Sequence, residues 1–153
     1  MDNQKNQGHD PATIQLLEAL YKNVKMGADS IIDLMPKVSD KAMREELTCE
    51  LEKYEGFAKE AKDMLADLGV KPADEGIFAK LGTKMSVAMN TLIDSTPSHI
   101  AEMMIQGGTM GITDATKLLR EHENTSCSEE ALALARKIIK FEEDTVEKLK
   151  KYL

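Results

Sequence analysis

Apolar residues recur at three- and four-residue spacing along most of the chain, the period of a helix and not of a strand. That pattern predicts five helices. The first runs from Pro11 to about Met35, with Ile14, Leu17, Leu20/Tyr21, Val24, Ala28, Ile31 and Met35 on one stripe. Asp10 suits its N-cap, Pro11 its first helical position, and Pro36 ends it. The second runs from about Asp40 to Leu68, with Ser39 or Asp40 as cap. Its stripe is Met43, Leu47, Leu51, Tyr54, Phe57/Ala58, Ala61, Met64/Leu65 and Leu68. Gly69 then supplies a left-handed residue past the helix end, Val70 an apolar contact and Pro72 the stop. The short linker between these two makes them antiparallel neighbours.

The third helix, about Asp74 to Ile93, presents Ile77/Phe78, Leu81, Met85, Ala88/Met89 and Leu92. Ser95 or Thr96 caps the fourth, which Pro97 opens and which runs to about Glu123. Ser126 with Glu129 fits a capping box for the fifth helix, and Ser128 suits the same cap. Lys148, Lys150 and Lys151 fall at the far end, where cations favour the helix dipole. Four of the helices are long, spanning about 37–45 Å, and the third is about 30 Å at 1.5 Å per residue. The expected architecture is therefore all-α: two antiparallel hairpins forming a four-helix bundle, with a long helical crossover between the second and third bundle helices. An up-and-down five-helix array is the alternative. Residues 11–153 form one domain behind a polar tail at residues 1–10, expected to be disordered.

The fourth helix is apolar over more than half its circumference. Ile100, Met104, Gly107, Gly111 and Leu118 lie on one face, and Ala101, Ile105, Gly108, Ile112, Ala115 and Leu119 on the next. It is expected to pack on the bundle with one face and on the crossover helix or a second subunit with the other. Gly107, Gly108 and Gly111 each cost about 1 kcal/mol relative to alanine in mid-helix. A tight helix crossing offsets such a cost, and a hinge or a small-ligand niche is the functional alternative. Met85, Met89, Met103, Met104 and Met110 cluster in the same region. Core packing accounts for them; adaptable thioether packing in a binding groove, or a soft-metal site, would use the same residues.

Composition narrows the class. The chain has 153 residues, 42% hydrophobic and 31% charged, with a formal net charge of −7. That hydrophobic share excludes disorder. No apolar run approaches the ~18 residues of a membrane span, and the polar start is unlike a secretory leader. The acidic balance argues against nucleic acid as a partner. Cys49 and Cys127 are isolated and form no Cys-x-x-Cys pair, so two free thiols and a cytoplasmic location are expected.

In helix count, lengths and crossover, the span from Pro11 to Leu153 resembles the ferritin-like superfamily. It is similar in layout to rubrerythrin and bacterioferritin domains and to small bacterial ferritin-like domains. The resemblance implies a di-metal site of iron or manganese, held by a Glu from two helices and a Glu-x-x-His from the other two. This sequence contains no Glu-x-x-His. Glu50-x-x-Lys53 and Glu52-x-x-Glu55 stand on the second helix and Glu142-x-x-Thr145 on the fifth. Lysine and threonine are poor substitutes for imidazole, so the usual di-metal centre is not retained.

Carboxylates nonetheless fall on apolar faces. Glu50 lies between Leu47 and Tyr54, and Glu142 follows Ala135, Ile138 and Ile139. Each is expected to have a raised pKa or a partner, with Tyr21 or Tyr54 in reach as hydrogen-bond donors. Together with Glu18 and Glu102 they are the metal-site candidates of a carboxylate-only site. His99-x-x-Glu102 and Glu121-His122 are expected on the surface. No phosphate loop or Ser-His-Asp arrangement is present, and no catalytic or cofactor-binding residue is assigned. The preferred reading is a non-catalytic bundle working through protein contact as a homodimer or with another protein, with no cofactor, nucleic acid or membrane. The alternative is a metal-binding oxidoreductase or metal-storage protein carrying iron or manganese on carboxylates alone. A third is a small apolar ligand held between the third and fourth helices.

Overall fold

The computed structural model describes residues 10–72 and 94–153. The tail expected at residues 1–10, apart from Asp10, lies outside the described residues, as do His9 and the expected crossover helix Asp74–Ile93 with Met85 and Met89. Among the described residues there are four α-helices: α1 (Pro11–Leu34), α2 (Lys41–Asp67), α3 (Pro97–His122) and α4 (Glu129–Leu149). The last two are the fourth and fifth helices of the sequence pattern.

Local chemistry sets each boundary. Asp10 accepts from the Ala12 N–H at 3.0 Å, Asp40 from Met43 at 2.8 Å, Thr96 from His99 at 3.3 Å and Ser128 from Ala131 at 3.2 Å. Each cap satisfies one of the orphan donors of a first helical turn. Between the two candidate caps of α4, Ser128 takes the role. Ser126 instead donates to Asp10 at 3.1 Å, tying the α3–α4 turn to the start of α1. Pro36 converts the end of α1 into a 3-10 turn over Met35–Lys37. At the end of α2, Gly69 has φ 74°, and the Val70 N–H reaches the Leu65 carbonyl at 2.9 Å. Gly69 bonds Ala66 at the same distance, completing a Schellman cap.

Side-chain bonds between distant helices fix the topology. The Ser128 N–H donates to Thr13 at 2.9 Å, and Asn23 donates to the Gly111 carbonyl at 3.1 Å, so α1 runs antiparallel to α3. Lys137 meets Glu60 at 3.1 Å and Tyr152 donates to Glu46 at 2.9 Å, so α2 runs antiparallel to α4. With α1–α2 and α3–α4 as packed hairpins, α2 and α3 point the same way. The C-terminal end of α2 and the N-terminal end of α3 therefore lie at opposite ends of the bundle.

The core is built from the predicted stripes. Leu17, Leu20, Val24, Ala28 and Ile31 of α1 meet Met43, Leu47, Ala61 and Leu65 of α2, with Ala131, Leu134, Ala135 and Ile138 of α4. α3 contributes less than its pattern implies. Only Ile100, Ala101, Ala115 and His122 are buried on it, while Met104, Ile105, Gly107, Gly108, Gly111 and Ile112 are half-buried and Met110 is 66% exposed. Its three glycines admit side chains of α4 at Gly108 and Gly111 and leave a hollow beside that face. Among the described residues, no helix is long and apolar enough to cross a membrane.

Candidate functional site

The hollow in α3 opens onto polar groups at mid-bundle. Glu142 of α4 is 3% exposed, as its place on the apolar stripe of that helix predicts. It fits there because Gly111 of α3 stands opposite. A Cβ on Gly111 would come within 2.7 Å of Glu142 Oε1, and one on Gly108 within 2.8 Å of Val146. On α1, a Cβ on Gly27 would sit 2.6 Å from the Tyr54 ring. These glycines mark places where a neighbour's side chain fills the room a side chain would take, the close-approach role expected of Gly108 and Gly111.

Tyr54 of α2 hydrogen-bonds to the Glu142 carboxyl, so one of its two expected partners is realised. Asn23 of α1 spends its amide N–H on the Gly111 carbonyl. Among the described residues, Asn23 Oδ1 and Glu142 Oε2 are buried and have no hydrogen-bond partner. All four helices thus meet at one polar cluster: Asn23, Tyr54, Gly111 and Glu142.

A cavity of about 410 Å³ adjoins this cluster. Met26 and Gly27 of α1 and Met103, Met104, Gly107 and Met110 of α3 line it, with Tyr54 and Glu142 on its inner wall. Burial pushes the Glu142 carboxyl up to about 8, and the nearby Asp114 carboxylate pushes the same way, against the Tyr54 hydrogen bond. Tyr54 is in turn raised by burial and by Glu142 and Glu50. Near neutral pH the pair is therefore uncharged, with an acid proton on Glu142 and a phenol beside it.

Glu50 occupies a different setting. It is 5% exposed, and both of its oxygens are buried with no hydrogen-bond partner among the described residues. A second cavity, of about 650 Å³, lies between α2 and α4 beside Glu50, Phe57, Phe141, Lys137 and Lys148. Burial and then Glu46 raise Glu50 to about 8, while Lys148 and Lys151 oppose them. Thr145 lines both cavities, and Tyr54 packs edge-on against Phe141 with ring centroids 5.0 Å apart. Glu50 and Glu142 thus face separate spaces.

Glu18 and Glu102 line neither cavity. Glu18 is half-buried on α1, and Glu102 is exposed beside His99 at 3.6 Å. Among the described residues, no group of three or more His, Cys, Asp or Glu is placed to hold a metal ion. Cys49 and Cys127 are both free. The expectation that Glu121-His122 lies on the surface is half wrong. Glu121 is exposed, but His122 is 5% exposed and donates from Nδ1 to the Leu118 carbonyl at 2.8 Å. One turn of helix separates those two residues, so the ring satisfies itself locally and turns inward.

Sequence reasoning missed Asn23 and Gly27. Ala19, Asn23 and Gly27 form a row of small or polar residues at four-residue spacing beside the apolar stripe of α1, and that row is the available signal. Compared with protein-family models, with curated proteins and with solved structures, the chain matches none.

Proposed function

We propose that this protein is a ferritin-like helical bundle that works by binding a small, mainly apolar molecule at mid-bundle and not by di-metal catalysis. The order of its helices supports the ferritin-like reading, since two antiparallel hairpins with α2 and α3 pointing the same way is the single-crossover arrangement. The observation that carries the binding reading is the 410 Å³ cavity, a volume that suits a small molecule, with thioether and glycine walls around a few convergent polar groups. Methionine walls adapt their shape to an apolar guest.

The test is titration with N-phenyl-1-naphthylamine, whose fluorescence rises in apolar surroundings. The expected result is saturable binding of one probe per chain, lost in Gly107→Leu, which fills the cavity. Absence of saturable enhancement would contradict the reading. Elemental analysis of protein expressed with added iron and manganese tests the carboxylate-metal alternative. Stoichiometric metal would replace the binding reading and make Glu50 and Glu142 the first residues to change.

A further inference from the structure

We infer that the mid-bundle cavity selects a ligand with a primary ammonium group on an apolar body, the ammonium being held by Glu142 and Asn23. This rests on the binding reading above and adds the ligand's chemistry. Two polar atoms of residues that line the cavity, Glu142 Oε2 and Asn23 Oδ1, are buried and lack a hydrogen-bond partner among the described residues, and both are acceptors once Glu142 is ionised. Turning the Asn23 amide over would give up its bond to the Gly111 carbonyl, so Oδ1 stays the open atom. A guest that brings several N–H donors satisfies these atoms. A carboxylate or phosphate has only acceptors, so it leaves Asn23 Oδ1 open and meets Glu142 only while that carboxyl keeps its proton.

Charge favours a cation over a neutral donor. The groups that set the proton affinity of Glu142 are its own burial, the Asp114 carboxylate and the Tyr54 hydroxyl, with no basic side chain among them. Lys22 of α1 and Lys117, Asp114 and Glu121 of α3 line the cavity as well. Neither lysine is among the groups that shift Glu142, and long stems let such heads stay in water. The walls suit the remainder of the guest, with Met26, Met103 and Met104 around an alkyl or aryl body.

Binding is coupled to a proton. In the empty protein the Glu142 carboxyl sits at about 8 and is mostly protonated at neutral pH. An arriving ammonium takes the place of that proton. Glu142 becomes a carboxylate, one proton leaves to solvent, the ammonium keeps all of its own, and no covalent bond changes.

The test is isothermal titration calorimetry of the full chain near neutral pH with n-hexylammonium chloride, n-hexanol and hexanoate, repeated in buffers of low and high ionisation heat. The expected order is ammonium tightest, by about tenfold or more over the alcohol, the size of one charge-assisted hydrogen bond. Close to one proton is released per ammonium bound. Glu142→Gln abolishes both the proton release and the preference while still binding the alcohol. Asn23→Ala weakens ammonium binding severalfold and keeps the proton release. Two results overturn the inference and leave the cavity a binding site for something else: an alcohol that binds as tightly as the ammonium, or an ammonium preference that survives Glu142→Gln. If none of the three probes binds and the naphthylamine also fails, the binding reading falls with it.

Discussion

Glu50 and Glu142 occupy the same kind of position on two antiparallel helices, yet their surroundings differ. Each lies on an apolar stripe and each is raised to about 8, chiefly by burial. Glu142 has a phenol donor, a glycine cleared to receive it, and a cavity with further open acceptors. Among the described residues Glu50 has no hydrogen-bond partner on either oxygen, and what favours its charge is the field of Lys148 and Lys151. A carboxyl supported by residues from other helices suits the binding we propose, whereas one relieved only by the field of charges is a cost to the fold. Burial alone does not separate these cases; the partners do.

The largest expected effect is on stability against pH. Both carboxyls bind protons more tightly in the folded protein than in the unfolded chain, so stability is full below the ordinary carboxylate range and lost as pH rises through about 8. Each group contributes a slope of up to about 1.4 kcal/mol per pH unit across that window. Urea unfolding at successive pH values should show stability falling from acid to alkaline. Glu50→Gln and Glu142→Gln should each remove one group's share, and the double variant most of the slope. A flat profile in the parent protein would contradict this.

Next, Glu50→Leu should stabilise at neutral pH by about 1–3 kcal/mol, because it removes an unpartnered buried group. Glu142→Leu should gain less or lose, since it strips the Tyr54 hydroxyl of its acceptor at a cost of about 1–3 kcal/mol. Equal gains from the two substitutions would erase the distinction drawn between them. A smaller contrast separates the glycines. Gly27→Ala drives a methyl into the Tyr54 ring and should destabilise by about 1–3 kcal/mol. Gly56→Ala meets nothing within 4 Å and should stabilise by about 1 kcal/mol, both read from urea midpoints.

Much of this was legible in the sequence. The caps at Asp10, Asp40 and Thr96, the Gly69 stop and the stripes of α1, α2 and α4 follow from local chemistry and helical period, which need no tertiary information. The inward position of Glu50 and Glu142 follows from the same period. What could not be read was register between helices. Asn23 and Gly111 are 88 residues apart in sequence, and their bond depends on how far α1 slides along α3. The same holds for Gly27 against Tyr54, and for the separation of Glu50 from Glu142 into two spaces. His122 escaped because its charged neighbour and helix-end position suggest the surface, while its bond is to a carbonyl one turn back.

The most direct test of the central claim is a pH titration of carbon-13-labelled glutamate carboxyls by NMR, with Glu50→Gln and Glu142→Gln assigning the two resonances. The account predicts two carboxyls titrating near 8 in the free protein. Saturating n-hexylammonium should move the Glu142 titration down toward the ordinary carboxylate range and leave Glu50 where it was. A Glu142 that already titrates in the ordinary range, or that ignores the ammonium, or a Glu50 that follows it equally, would contradict the account.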